Sequence, residues 1–167
     1  MGPWPQSDSF PTCHFLAKLL YHNRRQLSKD LESALHLSRA SFDQMIAEAD
    51  FIVITAPLND QTYDLFTLDT FRKMKRTAIV VNIGRGPVIK EDDLVVALHE
   101  GVICGAGLDV LEFPPNTASE LETCPNLTWT PHLGSSSIEA RTAMCDLAIE
   151  AVMDALADRR PKYAVNN

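Results

Sequence analysis

Phe51-Ile52-Val53-Ile54-Thr55-Ala56 is a near-continuous run of apolar and β-branched residues. Such a run, without polar alternation, suits a strand covered on both faces, as strands of parallel sheets are. Ala78-Ile79-Val80-Val81-Asn82 repeats the pattern downstream. Between and after these runs the sequence predicts helices over 67–75 and 91–100. The second carries Glu91, Asp92 and Asp93 in its first turn and Gly101 at its C-terminal cap. Residues 103–110 and 127–130 read as further strands. Helices alternating with doubly buried strands predict an α/β fold with a parallel sheet. Ligands of such sheets lie beyond the carboxyl ends of the strands.

Upstream, residues 18–22 read as a short strand. Ser28 predicts the cap of a helix over 30–37, and Ser41 with Gln44 predicts a capping box for a helix ending near residue 49. Downstream, a long helix is predicted over 138–157, with Ser136 and Glu139 as its capping box. Its apolar face would be Met144, Leu147, Ala148, Ala151, Val152 and Ala155. Residues 1–14, rich in Gly, Pro, Ser and Gln, read as unstructured.

The 167 residues suffice for one domain with a real core. A hydrophobic fraction of 46% and a charged fraction of 22% fit a soluble globular protein. The net charge of −7, with dispersed acids, argues against a nucleic-acid binder, which would present a basic stripe. Cys13, Cys104, Cys124 and Cys145 have neither CxxC nor metal-ligand spacing, so reduced thiols, a cytoplasmic location and no metal site are expected. The proline-rich start is no signal peptide, and no apolar stretch reaches membrane-spanning length.

Three side chains that can do chemistry each follow an apolar run: Arg85, Glu112 and His132. The planar fork of an arginine matches a carboxylate with two parallel hydrogen bonds. An imidazole can deliver a proton to a developing alkoxide near neutral pH. A carboxylate beside it raises its pKa and fixes its tautomer. Taken singly, each has an ordinary alternative: a surface ion pair, a strand-end histidine, a solvated loop acid. The sequence contains no Gly-x-Gly-x-x-Gly phosphate loop. Gly105-Ala106-Gly107 mimics its start, but Val110 stands where the third small residue belongs.

Residues 50–58, Val81-Asn82-Ile83-Gly84-Arg85-Gly86, residues 105–112 and Thr130-Pro131-His132-Leu133-Gly134 together resemble the nucleotide-binding domain of the D-2-hydroxyacid dehydrogenases. The glyoxylate/hydroxypyruvate reductase branch is the most similar. The resemblance runs over roughly 18–161 and implies a Rossmann-like parallel sheet. It also implies an oxidoreductase that transfers hydride between NAD(P)H and a small 2-keto or 2-hydroxy acid. In that setting Arg85 would hold the keto acid's carboxylate, His132 would donate the proton, and Glu112 would hydrogen-bond His132. Asp109 would sit near the nicotinamide, or else stabilise a turn. Ala56 and Pro57 would line the adenosine pocket, with Ile83, Gly84 and Gly134 also at the cofactor. Asn23, Arg24 and Arg25 follow the first strand, where an acid would bind the adenosine 2′-hydroxyl and arginines accommodate a 2′-phosphate. NADP(H) is therefore expected over NAD(H), the alternative being a solvated basic turn. The family further implies a homodimer, with neither nucleic acid nor membrane as partner.

Family members carry a substrate-facing domain, a first βα unit and a glycine loop before the matching segment, and these are expected to be missing. The expected organisation is an unrelated leader over 1–17, a partial nucleotide-binding domain over 18–161 and a tail over 162–167. A non-catalytic module, pairing with a full-length relative or without function, is the alternative expectation.

Overall fold

The computed structural model describes residues 18–112 and 120–164. The predictions for residues 1–14 and Cys13 lie outside them. Among the described residues the order is β1 (Leu19–Tyr21), α1 (Lys29–Ala34), β2 (Leu37–Arg39), α2 (Phe42–Glu48), β3 (Phe51–Ile54), α3 (Leu68–Arg72), β4 (Ile79–Asn82), α4 (Glu91–His99), β5 (Gly105–Leu108), β6 (Leu127–Trp129) and α5 (Ile138–Leu156). Short 3-10 turns cover Gly86–Val88 and Leu121–Thr123.

The strands form two parallel sheets. One is β1-β2 and the other is β3-β4-β5-β6. In the larger sheet Ile54 stands opposite Asn82, Asn82 opposite Leu108, and Leu108 opposite Trp129. The carboxyl ends of β3 to β6 are thus level. The core lies against this sheet: Ile52, Ile54, Phe66, Phe71, Val80 and Leu94 are among its buried members. Phe71 is fully buried, a burial that stabilises by about 1.5–3 kcal/mol.

Sequence expectations and structure part in several places. The helix expected over 30–37 ends at Ala34, because His36 takes a left-handed φ of 51° and Leu37–Arg39 becomes β2, a strand the sequence reading missed. Ser28 does cap α1, its Oγ accepting from Leu31 N at 3.3 Å. In α2 only half of the capping box forms. Gln44 N donates to Ser41 Oγ at 3.2 Å, while the Gln44 side chain turns forward to Glu48 at 2.9 Å. β3 is not covered on both faces: Ile52 and Ile54 are buried, but Phe51 is 69% and Val53 58% exposed. Among the described residues β3 has β4 on one side and no strand paired on the other.

Residues from Leu133 onward gather separately from Ala17–His132. Within that part α5 is capped by Ser137, not Ser136. Ser137 is the last extended residue (φ −72°, ψ 155°) and its Oγ accepts from Ala140 N at 3.1 Å. Ser136 instead accepts from Arg141 Nη2 at 3.3 Å. The apolar face predicted for α5 is present as a sequence pattern, but no α5 residue is buried and Met144, Leu147 and Val152 are exposed. No helix among the described residues is long and apolar enough to cross a membrane.

Candidate active site

Three loops leave the level ends of β4, β5 and β6, and each carries one of the residues singled out by the sequence. The β4 loop is shaped by Asn82, fully buried yet polar. Its Oδ1 accepts from Gly84 N at 3.0 Å and its Nδ2 donates to Arg85 O at 2.9 Å. A buried amide must satisfy both ends, and here it does so by fixing the turn that presents Arg85. The Arg85 side chain is exposed and donates from Nη1 to Gly84 O at 2.7 Å. Sequence reading treated Asn82 only as the end of a strand. An amide closing an apolar run is the signal that could have marked it.

The β4 and β5 loops lie on top of one another. A Cβ at Gly86 would fall on the backbone of Leu111 and Glu112, so only glycine permits the approach. A Cβ at Gly84 would come within 2.8 Å of Ala56 O, and Ile83 N donates to Ile54 O at 3.1 Å. The expected cofactor residues Ala56, Ile83 and Gly84 are therefore brought together at the tips of β3 and β4, with Pro57 next in the chain. The ends of β4, β5 and β6 are tied in turn: Asp109 N donates to Asn82 O at 2.9 Å, and Thr130 Oγ1 donates to Asp109 Oδ1 at 2.5 Å.

His132 follows β6 and is exposed, with a left-handed φ of 56°. Its N–H donates to Thr130 O at 2.9 Å, closing a tight turn around Pro131. Non-glycine residues rarely adopt this conformation, and they do so disproportionately at functional sites.

Glu112 is hydrogen-bonded to Glu91. Its Oε2 accepts from Glu91 N at 3.2 Å, and its own N–H donates to Glu91 Oε1. The two glutamates clasp reciprocally, so Glu112 satisfies the N-terminus of α4 and is not hydrogen-bonded to His132. The physical reason is the bare first turn of α4: Lys90 offers no capping side chain, and an N-terminal N–H needs an acceptor. Glu91, buried and also missed by sequence reading, completes the clasp. Gly134 lies in the separately gathered part of the chain, outside the unit that carries His132.

Asn23, Arg24 and Arg25 follow β1 on the two-stranded sheet and are all exposed. Beneath them Leu27 N donates to Tyr21 Oη at 3.0 Å, and the Tyr21 hydroxyl donates to Glu32. That hydroxyl holds the Glu32 carboxyl below its usual range, helped by Gln26 Nε2 at 3.2 Å, while burial and the same bond push Tyr21 up. Among the described residues no three His, Cys, Asp or Glu gather as a metal site.

A sequence model of the D-isomer specific 2-hydroxyacid dehydrogenase NAD-binding domain matches residues 12–134. The chain belongs to this family. It is 39% identical over 146 residues to glyoxylate/hydroxypyruvate reductase B of Serratia proteamaculans, covering 87% of this chain and 45% of that protein. Among solved structures, a D-isomer specific 2-hydroxyacid dehydrogenase from Polaromonas sp. JS6 66 matches with a TM-score of 0.80 at 30% identity, over 88% of this chain and 46% of that one. The NADPH-dependent glyoxylate/hydroxypyruvate reductase of Sinorhizobium meliloti, in complex with NADP and malonate, matches with a TM-score of 0.78 at 29% identity, over 86% and 44%. The chain thus spans about half the length of the relatives it matches. The expected Rossmann-like α/β class and the expected family are both borne out.

Proposed function

We propose that this chain supplies the carboxylate-binding and proton-donating edge of an NAD(P)H-dependent 2-keto acid reductase, with glyoxylate or hydroxypyruvate as the substrate class. The observation that carries the reading is the level end of the four-stranded sheet. There Asn82 and Gly86 set the Arg85 loop against the segment of Glu112, and the loop of His132 follows the neighbouring strand. The cofactor supplies hydride when bound. Arg85 has donors to hold the keto acid's carboxylate, and His132 gives its proton to the oxygen that becomes a hydroxyl. Ala56, Pro57, Ile83, Gly84 and Asp109 are assigned to the cofactor, and Asn23, Arg24 and Arg25 to the 2′-phosphate that distinguishes NADP(H). The reductases named above, one of them holding NADP, support this assignment. Glu112 acts on the site through the clasp with Glu91, which steadies the Arg85 loop. In the assembled enzyme a homodimer is expected.

A non-catalytic role is the second reading, and the open side of β3 favours it. Phe51 and Val53 offer an exposed apolar surface beside an unpaired strand edge, which suits pairing with a relative.

The purified chain discriminates between them. NADPH binding followed by fluorescence should be saturable but weak, because the sequence has no glycine loop to cradle the pyrophosphate. Glyoxylate-dependent NADPH oxidation should be slow or undetectable. No NADPH binding at millimolar concentration would favour the non-catalytic reading. In an enzyme carrying this segment intact, His132→Ala should lower kcat by about 10²–10⁴-fold while leaving cofactor affinity nearly unchanged.

A further inference from the structure

The turn after β1 is approached by a third arginine that the sequence did not single out. Arg39 closes β2, and its register partner in β1 is Tyr21. Parallel partners share a face, so Arg39 and Tyr21 project together toward the end of the sheet. Arg39 Nη2 donates to Asn23 O at 3.4 Å, which places its guanidinium at the first residue of the Asn23-Arg24-Arg25 turn.

We propose that Arg39 is a specificity-determining residue of the 2′-phosphate site, adding a third guanidinium to Arg24 and Arg25. This rests on the reading of that turn as the site of the 2′-phosphate. Three observations carry it. First, a guanidinium has five N–H donors, so the bond to Asn23 O leaves Arg39 with donors for an anion. Second, none of Arg24, Arg25 or Arg39 forms an ion pair among the described residues, and all three are exposed. Glu32, the carboxylate whose charge reaches Arg39, has its hydrogen bonds taken by the Tyr21 hydroxyl and by Gln26 Nε2. Third, the turn is held at its base from β2. Ala40 N donates to Tyr21 O at 3.0 Å, and His22 Nδ1 lies 3.1 Å from Ala40 O. A cation on a strand end tied this way needs less ordering on binding than two arginines on a turn alone.

Two isomeric probes test it on the full chain. Adenosine 2′-monophosphate and adenosine 5′-monophosphate carry the same charge and differ only in where the phosphate sits. Titration calorimetry on the unaltered chain should give tighter binding of the 2′ isomer. Arg39→Gln should weaken the 2′ isomer by about three- to tenfold, the range of an exposed charge-assisted contact, and change the 5′ isomer less than about twofold. Arg39→Lys, which keeps the charge but not the fork, should recover part of the loss. Equal weakening of both isomers by Arg39→Gln would reduce Arg39 to a structural tie and overturn the proposal. So would an unchanged preference in Arg39→Gln when Arg24→Ala with Arg25→Ala abolishes it, and the reading of the turn would then survive. An unaltered chain that binds the two isomers equally, or neither, would overturn both.

Discussion

Phe51-Ile52-Val53-Ile54 of β3 and Ile79-Val80-Val81-Asn82 of β4 lie side by side in parallel register, yet on the outer face Val53 is 58% exposed while Val81, its register partner, is half-buried. The two sequences ask for the same environment. β4 has a strand on each side, buries Val80 and Asn82 on its inner face and half-buries Ile79 and Val81 on the other. β3 buries Ile52 and Ile54 on its inner face, exposes Phe51 and Val53, and among the described residues pairs with a strand on one side. Composition states what a strand needs covered; neighbours decide whether it is. The contrast extends to function. The ends of β4, β5 and β6 carry loops that interlock. The arginine turn after β1 sits on a separate two-stranded sheet.

The sharpest way to break the comparison is to attack the interlock itself. Gly86→Ala puts a Cβ into the backbone of Leu111 and Glu112 and should destabilise by about 3 kcal/mol or more in urea unfolding. Gly107→Ala is its control. A Cβ there meets nothing nearer than Val81 Cγ2 at 3.7 Å, so the change should stay within about 0.5 kcal/mol. Equal costs would mean that the loops are not packed as described.

The next test compares the inner face of the sheet, at Val80, with the outer face of β3, at Val53. Val80→Ala should cost about 2 kcal/mol and Val53→Ala less than about 0.5 kcal/mol. Similar losses in both would show that the outer face of β3 is covered in solution, as pairing with another chain would cover it, and concentration-dependent unfolding would then follow.

A smaller effect separates the role found for Glu112 from the one expected. Glu112→Ala removes the acceptor at the start of α4 and should cost about 1 kcal/mol. It should leave the ring resonances of His132 unmoved. Displaced His132 ring resonances would restore the direct pairing that the sequence suggested.

The smallest concerns pH. The Lys18 ammonium donates to Glu48 at 2.8 Å and holds that carboxyl below its usual range, with Gln44 helping. A carboxyl lowered in the folded state stabilises above its ordinary pKa, and the gain is lost as pH falls through the folded value. Lys18→Met should therefore narrow slightly the gap in urea midpoint between about pH 6 and about pH 3. Both side chains are exposed, so salt should erase the difference.

Much of this was legible in the sequence. Apolar runs placed β3 to β6, and α4 runs over Glu91–His99 with Gly101 at its end in the left-handed region at φ 62°. The strand-end positions of Arg85 and His132 were legible too, because each directly follows an apolar run. Other features depended on partners distant in the chain. β2 is three residues long and exists only because β1 pairs with it. Glu112 looked like a partner for histidine because nothing local reveals that α4 begins with an uncapped N–H beside it. Arg39 stayed hidden because only strand register brings it to the arginine turn. The lone face of β3 and the bare face of α5 make the same point from the opposite side: a pattern that demands burial does not say what will cover it.

The central claim is that the ends of β4, β5 and β6 bind the keto acid with its cofactor. A 15N-labelled sample of the chain, titrated with NADPH and malonate and followed by amide NMR, tests it most directly. Malonate stands in for the keto acid's carboxylate. The account predicts perturbed amides at Gly84, Arg85, Gly86, Asp109 and His132, with those of Asn23, Arg24 and Arg25 moving with NADPH and not with malonate. Malonate shifts confined to α5 or to the outer face of β3, with Arg85 and His132 unmoved at saturating NADPH, would contradict it.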